Sequence, residues 1–168
     1  VMAQTALSVI RKLFRNCTPY VASKSGTVLS VVLRAVRTAP SKEVSAVLER
    51  TAEEVSDRIP LDMALPHLVG TLSEEVEAAG DVGGTSVAAA GGGGGGSGAA
   101  AVTVSCLRVL ARLVPQLPSN LLLAELGKGR VMEALRRAFL STSTDVRRGV
   151  VGVLVEMHLA LRGCAGAF

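Results

Sequence analysis

The sequence predicts an all-α protein: an α-solenoid of antiparallel helix pairs, about three and a half repeats long, with a disordered Gly-rich insertion. Three observations predict it. Apolar residues recur at helical spacing along nearly the whole chain, the apolar stripes superimpose at a near-constant offset, and one low-complexity stretch interrupts the series. The 168 residues are 49% hydrophobic, enough for one domain with a core and too apolar for disorder throughout. Ten of the 18 glycines lie between Gly80 and Gly98, so the remainder is rich in Leu, Val, Ala and Arg.

The elements follow in order. A first helix carries Ala3, Leu7, Ile10 and Phe14 on one face and closes at Pro19. Its partner over 26–37 presents Val28, Leu29, Val32 and Val36. Pro40-Ser41 opens a helix over 43–59, where Val44, Leu48, Ala52, Val55 and Ile59 face away from Glu43, Glu49, Arg50, Glu53, Glu54, Asp57 and Arg58. Arg50–Glu54 and Glu54–Arg58 sit one turn apart on that polar face. Residues 61–72 carry Leu61, Leu65, Leu68 and Leu72, and Pro66, lacking a backbone donor, should bend the helix. Beyond the interruption, 101–117 shows Val102, Cys106, Leu110, Leu113 and Leu117. A short turn from Leu121 to Leu126 is capped by Asn120 or Ser119 and broken by Gly127 and Gly129. Residues 130–140 follow with Val131, Leu135 and Phe139. Thr142-Ser143-Thr144-Asp145 then reads as a capping box before 145–162, with its stripe Val146, Val150, Leu154, Met157 and Leu161. Its valines alone would suit a strand, but helical spacing is kept for longer than an ordinary strand runs.

The stripes repeat. Pro60 lies 16 positions after Val44, as Pro118 does after Val102, and the residues between pair off as Leu48/Cys106, Ala52/Leu110, Val55/Leu113 and Ile59/Leu117. Pro19 to Pro60 is 41 positions, Pro60 to Pro118 is 58 and Val102 to Val146 is 44. A period near 40–47 built of helix pairs is the signature of HEAT and armadillo repeats. The long middle spacing contains Gly91 to Gly96, which have no side chain to bury and lose the most backbone entropy on ordering. The chain therefore divides into helix pairs over 1–73, an acidic and Gly-rich flexible insertion over 74–100, and helix pairs of the same domain over 101–168. A phosphate-cradling glycine loop is excluded, because no basic residue follows the glycines until Arg108.

Charge is laid out in blocks: +7 over 1–42, −8 over 43–81 and +5 over 82–168. The basic start, free of acids, also suits an organelle transit peptide, although the same residues fit the repeat. No run of strongly apolar residues is long enough to span a bilayer; Val82 to Leu107 is uncharged but too rich in Gly, Ala and Ser. Four aromatics leave almost nothing on which to stack bases, so neither nucleic acid nor membrane is an expected partner.

Chemistry has little support. Cys17, Cys106 and Cys164 show no metal-ligand spacing and read as buried free thiols. His67 and His158 have no triad or metal arrangement nearby and read as surface or boundary residues. Glu74, Glu75 and Glu77 could attract a cation, but a solvated face or loop is the expected role. Met63, Met132 and Met157 are expected to fill core space. No enzyme activity and no cofactor or metal are therefore expected. The candidate binding residues are the basic ones at turns, which stack along one edge in a solenoid: Arg37 and Lys42 beside Thr38 and Ser41, and Arg147 and Arg148 after Ser141 to Asp145. Arg108, Arg112, Arg136 and Arg137 read as plain outer surface.

Arg37-Thr-Ala-Pro-Ser-Lys-Glu-Val44 followed by Thr51-Ala-Glu-Glu-Val55 resembles a HEAT repeat of a TOG domain, and Thr144-Asp-Val-Arg-Arg-Gly-Val-Val151 resembles the start of the last TOG helix pair. The order of elements is most similar to the TOG-type domains of CLIP-associating proteins. That resemblance implies binding of tubulin or microtubules through the turns, regulation of microtubule dynamics, and a cytoplasmic, cytoskeletal location. Arg37, Lys42, Arg147 and Arg148 occupy the family's basic turn positions. Plus-end or motor proteins are the alternative partners, in which case the chain is a HEAT scaffold that does not bind tubulin. The chain departs from the family in lacking Trp and in carrying an acidic, Gly-rich segment at a middle turn.

Overall fold

A computed structural model describes residues 2–16, 18–80 and 95–165. Among them the chain is all-helical: α1 (Met2–Asn16), α2 (Thr18–Ala35), α3 (Lys42–Ser56), α4 (Leu61–Gly80), α5 (Gly95–Leu113), α6 (Ser119–Gly127), α7 (Arg130–Phe139) and α8 (Thr144–Ala165). Short 3-10 turns, Val36–Thr38 and Val114–Gln116, close α2 and α5.

The helices lie in two layers. In one, α1 packs on α3, α3 on α5 and α5 on α8; in the other, α2 packs on α4 and α4 on α7. Neighbours within a layer run parallel. Ser30 meets Thr71 and Arg34 meets Glu74 between α2 and α4, while Glu49 meets Arg108 and Glu53 meets Arg112 between α3 and α5. These contacts join residues 40 or 41 positions apart in the first case and 59 in the second, close to the sequence offsets of 41 and 58.

The core fills the space between the layers, with Leu29, Leu33, Leu68, Leu72, Leu107, Leu110 and Leu135 almost wholly buried. Helix approach is close where glycine faces a neighbour. A Cβ at Gly26 would fall 2.0 Å from the His67 ring, and one at Gly149 would fall 3.1 Å from Leu107. α5 is the central helix, packed by both α4 and α8. Gly98–Gln116 is, contrary to expectation, apolar and long enough in composition to cross a bilayer, but more than half of it is buried inside the protein, as a core helix requires.

Several expectations change. Pro19 does not close a helix. Pro19 is the second residue of α2, Pro60 precedes α4, and Pro118 precedes α6, positions where the missing donor would be unpaired anyway. Neither Ser119 nor Asn120 is the cap of α6, because Pro118 occupies that position. α4 continues through Pro66 as far as Gly80, and α5 begins at Gly95. Residues 74–80 and 95–100 are therefore helical rather than flexible, and the disorder expected of the glycine stretch itself falls on 81–94, outside the described residues. Gly129 holds φ at +73°, a left-handed turn that lets α6 give way to α7.

Met157 is buried, but Met63 and Met132 are exposed, because α4 and α7 turn them away from the neighbouring helices. Phe139 and Leu154 also leave the stripe. α7 instead buries Val131, Ala134, Leu135 and Ala138, and α8 buries Val146, Val150, Val153 and Met157. Cys106 is buried and free, whereas the side chains of Cys17 and Cys164 lie outside the described residues.

Candidate functional site

Alternation of helix direction gathers the C-terminal ends of α2, α4 and α7 and the N-terminal ends of α3, α5 and α8 at one edge. The turns 36–41 and 140–143 lie there, and they bring all four candidate residues to that edge. Each turn is fastened before its helix begins. The Ser41 hydroxyl accepts from the Val44 amide at 3.3 Å and caps α3. The Ser143 hydroxyl accepts from the Val146 amide at 3.5 Å, and the Ser141 hydroxyl accepts from the Ser143 amide at 3.2 Å. The capping box is thus half made, because Val146 stands where a reciprocal carboxylate would be needed. The Ser41 hydroxyl holds the Glu43 carboxyl below its ordinary range, helped by that residue's own backbone amide.

The four basic residues divide into two kinds. Arg37 donates to the carboxylate of Glu75, a residue only 4% exposed, and the arginine's stem and carbonyl lie against Gly98. Arg147 folds back over its own turn, donating to the carbonyls of Ser141 at 2.7 Å and Thr142 at 3.2 Å. Both are braces of the edge. Lys42, the first residue of α3, is exposed and has no ion pair among the described residues. Arg148 has a side chain 78% exposed, with only a 3.5 Å contact to the equally open Asp145.

The arginines read as plain surface are engaged elsewhere. Arg108 pairs with Glu49, and Arg112 pairs with Asp57 at 2.7 Å and Glu53 at 3.3 Å, joining α5 to α3. Arg11 pairs with Glu54 at 3.4 Å, joining α1 to α3, and Arg50 reaches the same carboxylate at 3.5 Å. The acidic run on α4 is helical and not a loop; Glu74 and Glu77 lie on a solvated face, as expected, while pairing with Arg34 and Arg137, and Glu75 alone is buried, where it takes Arg37. Arg136 and Arg137 also converge on Glu133, whose carboxyl is held at about 2 by hydrogen bonds from Arg136 first and Arg137 second. The −8 block therefore neutralises the basic blocks on either side of it, helix against helix. Glu75 was not singled out as a partner in the sequence, although a signal was present: opposite charges stand about 40 positions apart, as in Arg34–Glu74 and Arg37–Glu75.

Behind the edge, burial pushes the Cys106 thiol up to about 12, with the Glu75 charge adding to the effect. Such a thiol is a core group and not a nucleophile. His67 and His158 are both exposed, and no cluster of three or more His, Cys, Asp or Glu placed to hold a metal occurs among the described residues. The edge presents two exposed cations, Lys42 and Arg148, on fastened turns. A scan against protein-family models finds no match for the chain, and comparison with curated proteins finds none either.

Proposed function

We propose that the chain is an α-solenoid of HEAT-type helix pairs that works as a non-enzymatic, TOG-like binding module, docking tubulin or microtubules through the edge of turns 36–41 and 140–143. On this reading it acts at the microtubule cytoskeleton and regulates microtubule dynamics. The observation that carries the reading is the placement of cations at helix starts. Lys42 opens α3, and Arg148 is the fifth residue of α8. A cation there opposes the helix dipole, so helix stability does not account for it, whereas attraction to an acidic partner does. Same-layer helices in parallel register supply the stacked geometry that the reading needs.

Lys42 and Arg148 make the contacts, and Arg37 and Arg147 hold the turns that present them. The test is microtubule co-sedimentation of the intact chain. Lys42→Glu with Arg148→Glu should weaken binding roughly tenfold at low ionic strength and less as salt is added. A folded double variant that pellets like the wild type sinks the proposal. A second reading, a HEAT scaffold for plus-end or motor proteins that does not bind tubulin, is favoured by the internal engagement of Arg37 and Arg147, which leaves two outward cations where four were expected. Absence of microtubule binding by the wild type, with retention of such partners on the immobilised chain, would select it.

A further inference from the structure

The inner side of α8 is buried through Val146, Val150, Val153 and Met157, but its opposite side has no helix against it among the described residues. That outward side repeats every three or four positions: Arg148, Val151 and Gly152, Val155, Leu159, Arg162. Val151 is 48% exposed, Val155 49% and Leu159 54%. The apolar centre is bracketed by two arginines separated by about 21 Å along the helix. Arg148 is open, and Arg162 is exposed with no ion pair among the described residues.

The same layer already shows how a basic helix is satisfied here. α1 and α5 both lie beside the acidic α3, joined by Arg11–Glu54, Arg108–Glu49 and the Arg112 pairs. α8 carries three arginines against two carboxylates, Asp145 and Glu156, and its far side, bracketed by Arg148 and Arg162, is open. We propose that this face docks an amphipathic helix of a partner protein, one whose apolar stripe is bracketed by carboxylates. A second copy of α8 fits poorly: laid antiparallel it sets Arg148 against Arg162, and laid parallel it sets each arginine against itself. The face shares Arg148 with the edge but is distinguishable from it, because its centre is Val155 and Leu159 and it makes no use of Lys42.

The test titrates the intact chain into a fluorescent synthetic peptide copying residues 43–57, the acidic amphipathic sequence of α3, and into a twin with its carboxylates changed to Lys. The acidic peptide should bind and its twin should not. Val155→Glu with Leu159→Glu should weaken binding at least about tenfold. Arg148→Glu with Arg162→Glu should weaken the acidic peptide and admit the basic twin, and Lys42→Glu should change nothing. All these side chains are exposed, and helicity by circular dichroism verifies that the variants fold. Equal binding of the two peptides, no binding of the acidic one, or equal weakening by Lys42→Glu overturns the proposal. So does sedimentation showing that copies of the chain associate through this face and separate in the Val155→Glu, Leu159→Glu variant.

Discussion

Replacing Arg37 by Met keeps the apolar stem over Gly98 and removes the guanidinium from Glu75. The glutamate side chain is 6% exposed and the arginine side chain 43%, so the pair stands between two limits. Breaking a fully buried pair by deleting one partner costs about 3–5 kcal/mol. An exposed pair contributes about 0.2–1 kcal/mol. With one side open to water, a loss of about 2 kcal/mol follows, which for a chain of this size lowers Tm by roughly 4–8 °C. Glu75→Gln leaves a neutral amide that needs no counter-charge, so the double variant should recover part of the loss, a coupling of about 1 kcal/mol. The assay is urea and thermal unfolding followed by circular dichroism, with m unchanged across the set. An Arg37→Met loss below about 0.5 kcal/mol with no coupling to Glu75→Gln would refute the idea that this pair fastens the edge.

Other outcomes follow from the same geometry. Cys106 should resist thiol reagents at pH 8 until the protein unfolds, as peptide mass mapping will show. Its folded value is raised, so its contribution to stability is full below the unfolded value of 9.0 and is lost as pH climbs towards about 12. Glu133 has the opposite sign: its contribution is present above the ordinary carboxyl value of 4.5 and lost as pH falls towards about 2, and Glu133→Gln should flatten stability across that window in acid titrations. Gly149→Val drives a branched side chain into Leu107 and should cost about 1–3 kcal/mol in urea unfolding.

Much of the fold was legible because burial imposes a period. Leu48, Ala52, Val55, Leu110 and Leu113 were read as core and are core, since a helix between two neighbours has no other place for them. Boundaries were less legible. Proline was read as a stop, although the physics that excludes it from a helix interior welcomes it in a first turn, as at Pro19. The glycines drew attention to 74–100 and hid the last two turns of α4, whose acids look solvated in one dimension and meet arginines only when α2 and α7 lie alongside. At the edge, residue types could be read but not their engagement. Arg37 and Arg148 are alike in sequence, and only packing turns one inward and leaves the other in water.

The charge blocks have a consequence for how such a chain can be rearranged. Repeat stacks commonly tolerate gain, loss or exchange of a unit, because every interface resembles the next. Here the unit made of α3 and α4 supplies the carboxylates for both of its neighbours. Excising it would lay Arg11 and Arg34 beside Arg108 and Arg137, cation against cation. The order of units is therefore written in the sign of their faces, and a shuffled chain could keep every apolar stripe and still be unable to stack.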